Sequence, residues 1–360
     1  MEVECGGQLS LMDLSIVIVN WNSVEFTKDC IASILSTTKH LDYEIVVVDN
    51  ASQDDSCRIL SEAFPQVKLV SSGHNIGFAR ANNLGVEHSR GERILFLNPD
   101  TRIIRDAVRR IVMELDSSPG IGAVGCRLLN RDLTLQTSCV QAFPSIANQI
   151  FGIDWLMRRS PKLRVWGMRA LFFENPHGLN EVDAVSGACL MVKRDVFEKV
   201  GRFSTEYFMY AEEMDLCCKI RRAGWKVCYA GDAEIVHYGG QSTKRQGRGF
   251  ADVVMRESIF KFLLKFRGKT YASIYRSGLL LSAIVRLMFL LPLMALPNAL
   301  INRESARCAL CKWRKIASWA LAMEDWVNEL GEARDRPSAS LKPILGPAMR
   351  GSQQDRAKGP

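Results

Sequence analysis

The chain has 360 residues, 47% of them hydrophobic and 24% charged, a composition that belongs to a globular protein with a real core and excludes a disordered or fibrous chain. Its 11 cysteines, two of them adjacent at Cys217-Cys218, lack metal-finger spacing, and the start Met1-Glu-Val-Glu-Cys lacks a signal peptide's basic start and apolar run, so a reducing, cytosolic setting is expected. The net charge of +8 gathers at one end: residues 241–360 hold 21 Lys and Arg against 9 Asp and Glu, leaving 26 against 30 elsewhere, which points to an anionic partner for the C-terminal third, membrane or nucleic acid.

Leu14-Ser-Ile-Val-Ile-Val-Asn20 is a β-branched run of strand length that ends in Asn20-Trp21-Asn22-Ser23. Thr27 to Ser36 has helical spacing, with Ile31, Ile34 and Leu35 on one face. Tyr43-Glu-Ile-Val-Val-Val-Asp49 reads as a second buried strand closing on a carboxylate, and the polar run Asn50 to Ser56 as a loop and helix start with Ser52 or Asp54 as cap. Val67-Lys-Leu-Val70 is a short third strand, and Asn75-Ile-Gly-Phe-Ala-Arg-Ala-Asn-Asn-Leu-Gly85 opens a helix with a glycine turn.

The next stretch is Arg93-Ile-Leu-Phe-Leu-Asn-Pro-Asp-Thr101. Ile94 to Leu97 read as a buried strand of a parallel sheet, which Pro99 must end because it cannot donate to the ladder. Asp100 is thus held just past the carboxyl end of a buried strand, where ligands bind in open α/β sheets. A hard oxygen there suits a divalent cation carrying phosphates; it equally suits an Asp that only caps the next segment. The alternation of strand and helix predicts a doubly wound α/β domain. No Gly-x-Gly-x-x-Gly follows the first strand and no Gly-x-x-x-x-Gly-Lys-Ser/Thr is present, which argues against a dinucleotide oxidoreductase and a P-loop enzyme. Three strands ending in polar or acidic residues still imply a ligand with a base, a ribose and phosphates.

Ile103 to Leu115 is predicted to be an amphipathic helix and Ile121 to Gly125 a short strand. Arg158, Arg159, Lys162, Arg164 and Arg169 surround Pro161 and Trp166, a basic loop that is either simply solvated or helps hold an anionic acceptor. Val182 to Val192 is a glycine-interrupted strand, and a helix follows Tyr210-Ala-Glu-Glu213 as far as Gly224. In that helix Glu212 and Asp215 share a face while Glu213 points about 100° away. Asp215 can pair with Lys219, which leaves Glu213 freer to face a cleft. Trp225 to Tyr229 is the last strand, and His237 sits at a strand end beside Gly239-Gly240, where an imidazole can reach a metal or phosphate or serve structurally.

In this order, Ser15-Ile-Val-Ile-Val-Asn-Trp-Asn22, Val48-Asp-Asn-Ala-Ser-Gln-Asp54, Asn75 to Gly85, Leu97-Asn-Pro-Asp100, Ser186-Gly-Ala-Cys189, Tyr210-Ala-Glu-Glu213 and His237 resemble the family 2 inverting glycosyltransferases of the GT-A fold, within them the rhamnosyltransferase-like branch. The resemblance covers about residues 13–270. It implies a Rossmann-like nucleotide-sugar domain over 13–245 and places Asp49 on the base or ribose beside Asn20 and Asn22. It lines the nucleotide-sugar pocket with Asn75, Gly77 and Asn98, and sets Arg80 against the diphosphate. It puts Ser186, Gly187 and Cys189 in the acceptor and sugar pocket, and gives a divalent metal, Mg²⁺ or Mn²⁺, to Asp100 and His237. The metal motif, usually Asp-x-Asp, is here Asn98-Pro99-Asp100; the base motif, usually Glu-Asp, is here Glu212-Glu213, making Glu213 the expected base and Glu212 the alternate. The implied activity is transfer of rhamnose from a dTDP donor to a lipid-linked or polysaccharide acceptor, with UDP-galactofuranose or UDP-N-acetylglucosamine as rival donors. A catalytically silent nucleotide-sugar-binding scaffold is the remaining rival.

The C-terminal third, 246–335, reads as helical, basic and apolar. Residues 278–300 are long enough to span a bilayer, but Arg286 interrupts them and Pro292 and Pro297 break them. A helix or hairpin lying in the membrane interface is therefore expected, flanked by Lys261, Lys265, Arg267, Lys269 and Arg276 facing anionic lipid on the cytoplasmic side. A buried core helix and a spanning helix are the other two readings. Arg303 to Leu330 is a further amphipathic helix, and 336–360 reads as a disordered tail. No aromatic-basic module on a recognisable fold supports nucleic-acid binding.

Overall fold

The structure, a computed structural model, describes residues 12–150, 177–239, 249–293, 303–324, 326–327 and 330. The chain forms two compact units, Met1–Gln241 and Ser242–Pro360. The basic stretch between Arg158 and Arg169, Pro297 and the tail from 336 lie outside the described residues.

The N-terminal unit is built on one mixed sheet. Its strands are β1 (Leu14–Asn20), β2 (Tyr43–Asp49), β3 (Lys68–Ser71), β4 (Arg93–Leu97), β5 (Thr101–Ile103), β6 (Ile121–Leu129), β8 (Leu179–Glu181), β10 (Cys189–Lys193) and β11 (Lys226–His237); β7 (Val140–Gln141) and β9 (Ala184–Val185) pair separately. The order is β3-β2-β1-β4-β10-β6-β11-β5, with β8 also on β11. Among the described residues, five helices lie between these strands in the first half: α1 (Val24–Thr37), α2 (Ser56–Ala63), α3 (Phe78–Glu87), α4 (Ala107–Asp116) and α5 (Ile146–Ile150). Two more follow, α6 (Arg194–Lys199) and α7 (Glu212–Arg222).

The β-branched runs explain the centre of this sheet. All seven residues of β1 are buried, and it pairs in parallel with β2 (Val17 opposite Val46) and β4 (Val17 opposite Phe96). Helix α3 packs closely on this core: a Cβ at Gly85 would stand 2.4 Å from Val17 Cγ1, so only glycine fits. On the same face Phe96, the partner of Val17, packs ring to ring with Phe197 and Phe203 at 4.7–5.6 Å, and Phe78 at the start of α3 meets Phe203 at 6.5 Å.

The sheet departs from the sequence expectation at three places. The helix expected from Ile103 begins only at Ala107, because Thr101–Ile103 is taken as strand β5 against the end of β11. The run Val182 to Val192 splits at Ser186-Gly187-Ala188 into β9 and β10, and β10 runs antiparallel to both β4 and β6, so the sheet is not purely parallel. The last strand extends from Lys226 to His237, well past Tyr229, with a register irregularity between Ala230 and Glu234.

The C-terminal unit contains α8 (Phe250–Arg267), α9 (Lys269–Leu293) and α10 (Arg303–Ala320). Its core includes Phe262, Leu263, Tyr275, Leu279, Ile316 and Trp319. Arg276 does not face outward as expected. It donates to the carbonyls of Ala320 (3.1 Å) and Trp319 (2.7 Å) at the end of α10, with its guanidinium 4.9 Å from the Trp319 ring. Arg286 likewise bonds Ser282 and lies 4.2 Å from the Trp313 ring, so the residue that seemed to interrupt the apolar run is held inside the unit. Pro292 sits in the last turn of α9 without ending it. The outer side of α9 is apolar and exposed: Ile274, Leu281, Ile284, Val285, Met288 and Phe289, the last two 68% and 72% exposed. The helix is long and apolar enough to cross a membrane by length and composition.

Candidate active site

The carboxyl end of β4 and the end of β11 build the first half of the site. Pairing of Thr101 with His237, and a bond from the Tyr238 N–H to the Asp100 carbonyl (2.9 Å), bring Asp100 and His237 side by side. Asp100 Oδ1 and His237 Nε2 are 3.3 Å apart, both largely buried. The other ring nitrogen, Nδ1, donates to Gln136 Oε1 at 2.7 Å. Gln136 in turn donates from Nε2 to Asn130 Oδ1 at 3.2 Å, which fixes its amide orientation and assigns the imidazole proton to Nδ1. Nε2 therefore faces the space shared with Asp100, and Asn98 Nδ2 lies 3.4 Å from it.

A hard carboxylate oxygen beside an imidazole of fixed tautomer fits a divalent cation. Among the described residues no group of three or more His, Cys, Asp and Glu converges, so the remaining coordination positions suit phosphate oxygens and water. Gln136 was not legible as part of this site, since it lies in an unpatterned stretch far from His237 in sequence.

The strand ends of β1 and β2 form a second cluster, and here the structure assigns the polar atoms mostly to each other. Asn20 is 0% exposed. Its Nδ2 donates to Asp49 Oδ1 (3.0 Å) and Ser52 Oγ (3.0 Å), and its Oδ1 accepts from Ser23 Oγ (3.2 Å) and Thr27 Oγ1 (2.7 Å). Asp49 also accepts the Ser52 N–H at 3.1 Å. Asn22, at φ +50°, accepts the Gln53 N–H at 2.6 Å. Asn75 accepts from Asn50 Nδ2 and from the Gly77 N–H, both at 3.0 Å, which shapes the turn into α3. Gly77, at φ +78°, precedes a helix whose Phe78 N–H is bonded to the Phe208 carbonyl at 3.0 Å. Arg80, half-buried, keeps a buried Nε without a hydrogen-bond partner among the described residues.

The third part is the start of α7. Tyr210 and Ala211 both adopt left-handed backbone, φ +71° and +66°, an arrangement that is strained for residues with a Cβ and that points the first turn of the helix inward. Asp215 takes the structural role: fully buried, it accepts from Ser204 Oγ (2.5 Å) and Tyr207 OH (3.2 Å), with Lys219 Nζ at 3.3 Å. Glu213 is mostly buried and accepts from Gln141 Nε2 at 3.2 Å. Burial pushes its carboxyl above the usual range, with the Gln141 bond acting against the shift.

Gly187 stands against it: a Cβ there would lie 3.5 Å from Glu213 Cβ and 3.8 Å from the Phe78 ring. The neighbouring Ala188 carbonyl accepts the Asn98 N–H at 3.0 Å, and Ser186 Oγ accepts the Ala188 N–H at 3.2 Å. The turn 186–188 thus adjoins both the end of β4 and Glu213. Cys189 does not join them; it is buried in the sheet next to Cys126.

A strand-end carboxylate and imidazole, polar strand termini and a helix-borne carboxyl at one end of the sheet agree with the comparison to known proteins. The family model for glycosyl transferase family 2 matches residues 15–201, just over half of the chain. The chain belongs to that family. This glycosyltransferase is 28% identical over 270 residues to a low-salt glycan biosynthesis hexosyltransferase of Haloferax volcanii, covering 74% of this chain and 77% of the relative. It is 27% identical over 248 residues to the N-acetylglucosaminyl-diphospho-decaprenol L-rhamnosyltransferase of Mycobacterium tuberculosis, covering 64% and 78%. It is 24% identical over 266 residues to the rhamnosyltransferase WbbL of Escherichia coli, covering 70% and 93%. In fold it is similar to the mannosyltransferase PcManGT of Pyrobaculum calidifontis, solved with GDP-Man and Mn²⁺: the TM-score is 0.54 at 17% identity, with 87% of each chain covered. The glycosyltransferase has the GT-A fold and relatives in the rhamnosyltransferase-like branch.

Proposed function

We propose that this glycosyltransferase is an inverting enzyme that moves rhamnose from dTDP-rhamnose onto a lipid-linked or polysaccharide acceptor in cell-surface glycan synthesis. The observation that carries the reading is Glu213, a carboxyl of raised proton affinity held in a strained first turn and fronted by a glycine. In the displacement the acceptor hydroxyl attacks the anomeric carbon as its proton passes to Glu213. The bond from that carbon to the diphosphate breaks, and its electron pair leaves on the phosphate oxygen. Asp100 and His237 would hold Mg²⁺ or Mn²⁺, whose positive charge favours the departing diphosphate. Arg80 offers its unpartnered N–H to the same phosphates. Asp49, with Asn20 and Asn22 setting the strand-end loop, faces the base or ribose, and Asn75, Gly77 and Asn98 shape the pocket floor. Ser186 and Gly187 border the sugar.

The name of the mycobacterial relative supports a rhamnosyl donor and a lipid-diphosphate acceptor. The exposed apolar side of α9, in a helix without an acidic residue, supports a peripheral position on the cytoplasmic face of a membrane.

A thermal-shift panel of nucleotides and nucleotide sugars tests the donor. At 100 times its dissociation constant a ligand adds about 2.7 kcal/mol, roughly 5–10 °C for a unit of this size. Stabilisation by dTDP-rhamnose only with Mn²⁺, lost in Asp100→Ala, is expected; stabilisation by UDP-galactofuranose or UDP-N-acetylglucosamine instead would replace the donor. Glu213→Gln is expected to abolish transfer while keeping donor binding, and retained transfer would move the base elsewhere.

A further inference from the structure

Glu212 is poorly placed to carry a negative charge. It is 4% exposed, and its Oε2 is buried without a hydrogen-bond partner among the described residues. It shares the first turn of α7 with Glu213 and Asp215. Asp215 is the ion of the group, held by Ser204, Tyr207 and Lys219. Glu213 has Gln141 and an opening toward solvent. Among the described residues no cation faces Glu212, whose carboxyl is met only by the backbone N–H groups of Glu212 and Tyr210, too little to offset its burial. Around it stand Glu213 and Asp215 from its own helix and Tyr207 from the loop before it. Strand β9, packed against α7, brings only Ala184 and Val185. Strands β6 and β11 meet the later turns, where Gly122 touches Ile220 and Cys228 feels Arg221.

We propose that Glu212 is a positioning residue that stays a neutral carboxylic acid, so that Glu213 alone carries the ionisable charge that receives the acceptor's proton. This rests on Glu213 as the base. Burial first, and then the charge of Glu213, hold the Glu212 carboxyl well above the usual range. Two adjacent carboxyls in one dry turn lose their protons in two separated steps, the more exposed one first. Loss of the second proton places two like charges beside the reacting hydroxyl and weakens transfer on the alkaline side.

The test is the pH profile of kcat/KM for the full-length protein and for Glu212→Gln, together with unfolding stability across pH. Glu212→Gln, which copies the neutral acid, is expected to keep transfer within about threefold at neutral pH and to lose the alkaline decline or move it upward by about a pH unit or more. The stability readout does not depend on catalysis. Between the ordinary glutamate value of 4.5 and its raised folded value, folded Glu212 keeps a proton that the unfolded chain releases. Wild-type stability therefore falls as pH rises through that window, and Glu212→Gln removes this part of the slope.

A 100-fold loss of transfer in Glu212→Gln would overturn the proposal by showing that Glu212 works ionised. So would an unmoved alkaline limb with an unchanged stability slope. If Glu213→Gln keeps transfer while Glu212→Gln flattens the slope, the base is misassigned and the neutral state of Glu212 stands. Should Glu212→Gln not fold, Glu212→Leu, of similar volume and without an ionisable group, carries the same stability measurement.

Discussion

Replacing Asn20 by alanine separates a structural role from a ligand contact. Asn20 is fully buried and its amide makes four hydrogen bonds, to Asp49, Ser52, Ser23 and Thr27. Ser23 and Thr27 each retain a backbone acceptor, at Trp21 (3.3 Å) and Ser23 (3.1 Å), so their losses are small. Asp49 is the costly partner. A buried carboxylate loses the Asn20 donor and keeps the Ser52 N–H and the Cys57 thiol, for which about 1.5–3 kcal/mol is the usual scale. With a further contribution of about 1 kcal/mol from Ser52 and the vacated space, the total is about 3 kcal/mol, or a fall of roughly 6–12 °C in Tm. Urea or thermal denaturation of Asn20→Ala measures it, with Asn22→Ala as comparison. Asn22 loses chiefly one bond to Gln53 at an exposed site, about 1 kcal/mol. If Asn20→Ala cost under about 1 kcal/mol while nucleotide affinity dropped tenfold, Asn20 would be a ligand contact and this reasoning would fail.

Two further outcomes concern other parts of the chain. Gln136→Leu removes the acceptor that keeps the His237 proton on Nδ1; Mn²⁺ affinity, read by titration calorimetry, is expected to fall about 10–100-fold with the fold retained, and unchanged affinity would detach Gln136 from the site. Met288→Glu together with Phe289→Glu changes two highly exposed residues of α9; co-sedimentation with vesicles rich in anionic lipid is expected to fall at least about tenfold with Tm unchanged, while DNA is expected to bind neither protein.

The parts of the fold that were legible are those where one strand carries its own signal. β1, β2 and β4 are continuous apolar runs, and their burial on both faces requires no information from elsewhere in the chain. β5 and the long β11 were not legible, because three residues after Pro99 become a strand only when the end of β11 offers its edge. The direction of β10 is equally a property of its neighbours.

The site divides in the same way. Asp100 and His237 could be named because each ends or follows a strand, and the Asp215–Lys219 pair because helical spacing places it. Gln136 and Gln141 act over 101 and 72 residues of separation, and nothing in their local sequence distinguishes them from surface glutamines. The partners of Asn20 and Arg286 were equally illegible, because the Asp49 carboxyl that meets the first and the Trp313 ring that meets the second lie far away in sequence.

The reversed direction of β10 has a consequence for how this protein can change. A strand that runs against its neighbours delivers its beginning, not its end, to the edge where β1, β2 and β4 finish. The turn at Ser186-Gly187-Ala188 therefore arrives at that edge from the opposite chain direction to the loops that follow β1, β2 and β4. Insertions before β10 leave the parallel registers of β1, β2 and β4 untouched, since those strands are already paired by residue 97. The segment before β10 can thus vary in length and sequence while the strand ends of β1, β2 and β4 stay fixed.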